Sequence, residues 1–170
     1  SAGSNSSAGS SGSGSCGGPR STPVGRPQEV ACPASVGGVD AGACTTDTEC
    51  TALGIGYNYC RDGACTRDQC ATDTDCASGQ ACRCWNQVRG NALFGNACTV
   101  TGCRVDADCG PKGTCSPDST GYCGSFTGYY CHTAADACNS DADCCGSTPR
   151  CGYQPQLGHW VCGELTVCTG

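Results

Sequence analysis

Cys44-TTDTE-Cys50, Cys70-ATDTD-Cys76, Cys103-RVDAD-Cys109 and Cys138-NSDAD-Cys144 are four copies of one motif. Each has two cysteines five residues apart and a pair of acids just before the second. The copies start at residues 44, 70, 103 and 138, so they recur 26, 33 and 35 residues apart. Periods in that range belong to arrays of small units that stack on their neighbours. The unequal steps give each unit loops of its own length. Further cysteines follow each motif: Cys60 and Cys65 in the first unit, then Cys82, Cys84 and Cys98 in the second. Cys115, Cys123 and Cys131 lie in the third, and Cys145, Cys151, Cys162 and Cys168 in the fourth. Only Cys16 and Cys32 precede the repeats.

Cysteine makes up 22 of the 170 residues, about 13%, which is the level of a disulfide scaffold. The even count allows at most eleven bridges, and a chain of this kind belongs in an oxidising place: extracellular, cell-surface or periplasmic. The apolar inventory points the same way. There are 4 Leu, 1 Ile, 9 Val and 2 Phe, beside 27 Gly and 8 Pro. No ordinary core can be built from that, so cross-links must replace it. A bridge closing a loop of about 15 residues contributes roughly 3 kcal/mol in the loop-entropy view. The expected fold is small and disulfide-rich: tandem knotted units with short β-hairpins, turns, little helix and a minimal hydrophobic core.

The division along the chain is an arm over 1–31 and four units over 32–69, 70–102, 103–137 and 138–170. The acidic segment of each motif suits a turn or one helical turn capped by Thr or Asp. Two-stranded ribbons are expected around 56–66, 81–100, 112–132 and 150–168. Asp62-Gly63 and Gly95-Asn96 read as tight hairpin turns. Tyr129, Tyr130, Trp85 and Trp160 are expected to cover bridges. A first-to-third, second-to-last pairing is expected in the first two units: Cys44–Cys60 with Cys50–Cys65, and Cys70–Cys82 with Cys76–Cys98.

In cysteine spacing and acidic pair, residues 44–168 resemble small secreted cysteine-rich modules. The motif is similar to the start of the whey-acidic-protein four-disulfide core and to the cysteine-rich repeats of Dickkopf-type proteins. Unlike the four-disulfide core, the first three units lack adjacent cysteines. The fourth has Cys144-Cys145 at a different place. The resemblance implies a knot of bridges with short hairpins. The inhibitory loop of some four-disulfide-core proteins has no counterpart here, so protease inhibition does not carry over.

The formal net charge is −6 and Lys112 is the single lysine. That argues against nucleic acid and against anionic membrane surfaces. No apolar run approaches the roughly 18 residues of a membrane span. The chain starts at Ser1 and contains no Met, which fits removal of a secretory signal. Ser1 is not a cysteine, so a lipid-modified N-terminal cysteine is not indicated for this form.

Candidate chemistry is sparse. The pairs Asp47/Glu49, Asp73/Asp75, Asp106/Asp108 and Asp141/Asp143 could offer oxygens to Ca²⁺. No unit repeats the other ligands and fixed glycine of a calcium loop. The favoured reading is that the first acid caps a turn and the second faces water. A metal cluster is disfavoured because there is no C-x2-C, only one C-x-C (Cys82, Cys84) and one Cys-Cys. His132 and His159 read as loop residues near bridges, and no nucleophile–base pair stands out, so catalysis is not expected. No cofactor is expected.

The arm differs from everything after it. Residues 1–15 are only Ser, Gly, Ala and Asn5, a linker composition, and Pro19, Pro23 and Pro27 then suggest an extended stretch. Asn5-Ser6-Ser7 fits an N-glycosylation acceptor, and the serines are O-linked candidates. The arm is the expected means of self-association into a polymer. The expected function is a structural subunit of an extracellular filament, sheath or surface coat. The alternatives are a monomeric secreted binding module, such as an inhibitor or signalling antagonist, or an adhesin ectodomain.

Overall fold

A computed structural model describes residues 19–35, 42–53, 56–87, 95–121, 125–146 and 149–164. Four antiparallel two-stranded ribbons follow one another: β1 (Tyr59–Arg61) with β2 (Ala64–Thr66), β3 (Gln80–Arg83) with β4 (Ala97–Val100), β5 (Cys115–Asp118) with β6 (Gly128–Cys131), and β7 (Pro149–Gln154) with β8 (His159–Glu164). Each lies in its expected place. The acidic segments form one short helix, α1 (Asp47–Thr51), and three 3-10 turns over Asp73–Asp75, Asp106–Cys109 and Asp141–Asp143. A further 3-10 turn spans Trp85–Gln87.

The sheet register explains the cysteine pattern. In each ribbon two cysteines stand directly opposite: Cys60 and Cys65, Cys82 and Cys98, Cys115 and Cys131, Cys151 and Cys162. They do not bond to each other. The first strand's cysteine takes the first of the motif, and the second strand's takes the second. The bridges are Cys44–Cys60 and Cys50–Cys65, Cys70–Cys82 and Cys76–Cys98, Cys103–Cys115 and Cys109–Cys131, Cys138–Cys151 and Cys144–Cys162. The pairing expected for the first two units is therefore found in all four. The Cα separations repeat as well: 5.8, 5.9, 5.9 and 5.8 Å for the first bridge, then 5.3, 5.5, 5.3 and 5.4 Å for the second. A ninth bridge, Cys32–Cys84, ties the residue directly after the arm to the second unit, and Cys145 is also disulfide-bonded. Cys16, Cys123 and Cys168, together with Asn5, Ser6 and Ser7, lie outside the described residues.

The interior is four small clusters around these bridges rather than one core. Tyr129 and Trp160 are buried in the third and fourth as expected, whereas Trp85 stays half-exposed and donates its indole N–H to the Ala34 carbonyl at 3.3 Å. Neighbouring units join through specific contacts. Arg61 donates to the Gln69 carbonyl, Arg104 reaches the Gln80 and Ala77 carbonyls, and Tyr130 stacks on Tyr153 at 4.0 Å.

One turn is as expected and one is not. Asp62 and Gly63 have φ of 52° and 79° and close the first ribbon, a conformation that suits this pair. Gly95-Asn96 does not turn. Gly95 is needed for close approach, because a Cβ there would sit 2.5 Å from Asp68 Oδ1. Asn96 is buried and links three segments: it accepts from Trp85 N–H, donates its amide to the Pro33 carbonyl, and gives its own N–H to Asp68. The dipeptide is chemically apt for a turn, but the buried Asp68 carboxylate offers its amide a better partner.

Candidate functional site: the acidic motifs and the arm across them

The two acids of each motif have separate roles, and the same division recurs four times. The second acid sits at the third position of the helical turn. It accepts the backbone N–H of the capping residue and of the residue before it. Glu49 takes Thr45 and Thr46 at 2.5 and 3.1 Å; Asp75 takes Ala71 and Thr72 at 2.7 and 2.9 Å. Asp108 takes Arg104 and Val105 at 2.7 and 3.0 Å; Asp143 takes Asn139 and Ser140 at 2.6 and 3.1 Å. This is the acidic half of a capping box. Val105 has no side-chain acceptor, so its turn relies on that half alone.

The first acid reaches forward to the hairpin. Asp47, Asp73, Asp106 and Asp141 accept the N–H of Cys60, Cys82, Cys115 and Cys151 at 2.7 to 2.8 Å. The sequence expectation is therefore corrected in its detail: the second acid caps, and the first, rather than capping, locks the turn to the strand it is bridged to. The reason is reach. From the third helical position a carboxylate folds back over the free N–H groups of its own turn, whereas the first position faces the neighbouring strand.

These bonds set the protonation of the acids. The Thr45 and Thr46 N–H groups hold Glu49 below the ordinary glutamate range, and the Ala71 and Thr72 N–H groups do the same for Asp75. Asp108 is lowered by Arg104 and Val105 N–H. Burial pushes Asp143 up, but N–H groups of Ser21, Asn139 and Ser140 and the Ser21 hydroxyl outweigh it and hold it at about 2.

Ser21 belongs to the arm, and the arm runs across the array in the reverse of chain order. At the fourth unit Ser21 donates its N–H to Asp143 Oδ1 at 2.7 Å and its hydroxyl to Asp143 Oδ2 at 3.0 Å, while Asn139 donates to the Ser21 carbonyl. At the third, Ser116 donates to the Val24 carbonyl, and Arg26 N–H donates to Asp106 Oδ1 at 2.8 Å. A Cβ on Gly25 would lie 2.7 Å from the Asp106 carboxylate, which would have to shift to admit it. At the second, the Arg26 guanidinium makes a two-point contact with Asp73 at 2.8 and 3.0 Å, donates to the Arg104 carbonyl, and lies 4.4 Å over the Tyr129 ring. Arg26 is 5% exposed and Asp73 fully buried. Cys32 then bridges to Cys84, and Ser35 N–H donates to Asp68. Ser21, Gly25, Arg26 and Asn96 carry no signal in spacing or composition; Arg26 is one of three charged residues in the arm, with Arg20 and Glu29.

Three sulfurs of each unit lie within 4.8 Å of one another, for instance Cys44, Cys50 and Cys60. This closeness comes from two bridges side by side. Each sulfur already has its covalent partner, so no thiolate is present to bind a metal.

The remaining polar feature is His132. Its Nδ1 lies 2.7 Å from Asp136, whose carboxylate also accepts Thr133 N–H and hydroxyl and Trp160 N–H. The carboxylate accepts, so Nδ1 carries the proton and Nε2 keeps its lone pair. Nε2 is buried with no hydrogen-bond partner among the described residues. The ring stacks on Trp160 at 4.5 Å, and burial holds its pKa below the ordinary histidine value despite Asp136. It borders an open hollow of about 470 Å³ that also includes Pro23 of the arm, Lys112 and Thr114. His159 is partly exposed and opens β8, paired opposite Gln154. No helix among the described residues is long and apolar enough to cross a membrane.

No family model matches the chain, and neither does any curated protein or solved structure.

Proposed function

We propose that the chain is a structural subunit of an extracellular polymer such as a filament, sheath or surface coat, assembled through its N-terminal arm. One observation carries this reading: the only repeated candidate for chemistry, the four acidic pairs, is engaged throughout in joining turn to strand and, in three units, unit to arm. Such an array resists heat, unfolding and proteolysis without a large core, as a load-bearing or protective material must. Its disulfide content fits the oxidising exterior where such materials are built. The test is sedimentation velocity and electron microscopy of the purified, oxidised chain over a wide concentration range. Growing, end-to-end species are expected; a single monomeric boundary at every concentration would overturn the reading.

A monomeric binding module is the second reading, and the hollow beside His132 and Lys112 favours it. It requires a saturable ligand whose binding is lost on Lys112→Ala, with the thermal midpoint unchanged.

A further inference from the structure

The tyrosines of the chain are not equivalent. Tyr57, Tyr59 and Tyr129 each lie under an arginine: Arg67 at 5.0 Å, Arg61 at 5.7 Å and Arg26 at 4.4 Å from the ring centre. A cation over a ring opposes loss of an electron from it, because the oxidised ring would carry like charge. Tyr122 lies outside the described residues. Tyr130 and Tyr153 have each other instead. Their rings stack at 4.0 Å with planes 5° apart, across the joint between the third and fourth units.

The pair is held in place and still meets solvent. Tyr153 touches Trp160 edge-on at 6.1 Å. Tyr130 packs against Gly102 and Gly128, where a Cβ would stand 3.2 Å from its Cδ1 and 3.0 Å from its hydroxyl oxygen. Both tyrosines are half-buried. Burial, then the Asp118 charge and Tyr153, hold the Tyr130 phenol above its ordinary range, so it keeps its proton at neutral pH.

Stacking decides what oxidation would do here. A tyrosine that loses one electron and its phenol proton spreads the unpaired spin to the ring carbons beside the C–O bond. That spin sits in lobes perpendicular to the ring. Nearly parallel rings at 4.0 Å direct those lobes at each other, close to a reacting geometry. We propose that Tyr130 and Tyr153 form a cross-linking site, joined as dityrosine by hydrogen peroxide and a haem peroxidase. The peroxide takes one electron and one proton from each phenol and leaves as two waters. The two radicals form one carbon–carbon bond between ring carbons ortho to the oxygens. Each of those carbons then gives up its hydrogen as a proton, and each oxygen regains one. The product is the same chain less two hydrogen atoms. It ties the third unit to the fourth by a bond that thiols cannot reverse, unlike the disulfides around it. The site stands whether or not the chain polymerises.

The experiment treats the full, disulfide-bonded chain at low concentration with hydrogen peroxide and a haem peroxidase. A parallel sample receives photogenerated ruthenium(III) trisbipyridyl, a small one-electron oxidant that does not depend on docking of an enzyme. The blue fluorescence of dityrosine is expected, in a monomer lighter by two hydrogen atoms. After reduction and alkylation, digestion should yield one cross-linked pair of peptides holding Tyr130 and Tyr153. Tyr130→Phe and Tyr153→Phe keep a ring in the stack and should each lower the monomer's dityrosine at least tenfold, whereas Tyr57→Phe should leave it unchanged. No dityrosine within the monomer under either oxidant, at doses that couple free tyrosine, would overturn the site. So would a cross-link that maps to other tyrosines, or a yield that Tyr153→Phe does not reduce.

Discussion

Arg26 is the residue on which the arm turns. Its guanidinium neutralises the buried Asp73 carboxylate and fills the space over Tyr129. Removing one partner of a buried pair leaves an uncompensated charge, which costs about 3–5 kcal/mol. Arg26→Met is expected to lower stability by that order and to free the arm for exchange, measured by thermal unfolding and amide hydrogen exchange over residues 19–35. Adding Asp73→Asn should recover part of the loss; a double variant as unstable as the sum would show that packing, not charge, dominates. The titrating residues divide by pH. His132 is neutral and depressed in the fold, so between its folded value and about 6.5 the unfolded chain holds more protons. That stability is complete above 6.5 and is lost as pH falls through this window. Asp143, held at about 2, contributes above its ordinary 3.8 and loses its share only between 3.8 and 2. Unfolding followed from pH 7.5 to 5.0 should show a fall in the wild-type midpoint that is absent in His132→Asn, while Asp143→Asn should lower the midpoint throughout this range and remove the further fall between pH 3.8 and 2.

The hairpin with its motif is the repeating element. Two bridges and one carboxylate–amide bond hold the turn on the ribbon, and the bridges close loops of 12 to 22 residues. Asp106 adds the arm's Arg26 N–H to its Cys115 bond on a single oxygen. Asp106→Ala is expected to cost about 1–3 kcal/mol, since it leaves two half-buried N–H groups without a partner. Asp47→Ala, exposed and apart from the arm, should cost less than 1 kcal/mol. Urea unfolding of the two variants checks the order; equal losses would show that the arm adds nothing. The repeat of spacing and acids announced these elements, including their pairing in the first two units. The division of labour between the acids was not visible, because Asp-x-Asp reads the same whichever carboxylate turns back.

Across the whole molecule each unit leans on its neighbours, and the second, third and fourth also on the arm. Stability in such an array is a sum of unit and interface contributions. Replacing Cys44 and Cys60 by Ala should therefore release exchange protection in the first unit while the fourth stays protected. Replacing Cys32 and Cys84 should loosen the arm and the second unit together. Native-state hydrogen exchange of both variants distinguishes this from a single cooperative fold, in which either change would lower protection everywhere.

The sequence by itself determined the architecture: four cross-linked units, their hairpins, and bridges in place of a core. These follow from local spacing, since a covalent bond between cysteines a dozen or two residues apart needs only a short turn between them. The tertiary structure alone decided where the arm goes. Ser21, Gly25 and Arg26 meet acids 47 to 122 residues away. One serine, one glycine and one arginine have no periodicity to reveal a partner. Their roles appear only once the folded units bring Asp143, Asp106 and Asp73 beside one continuous path.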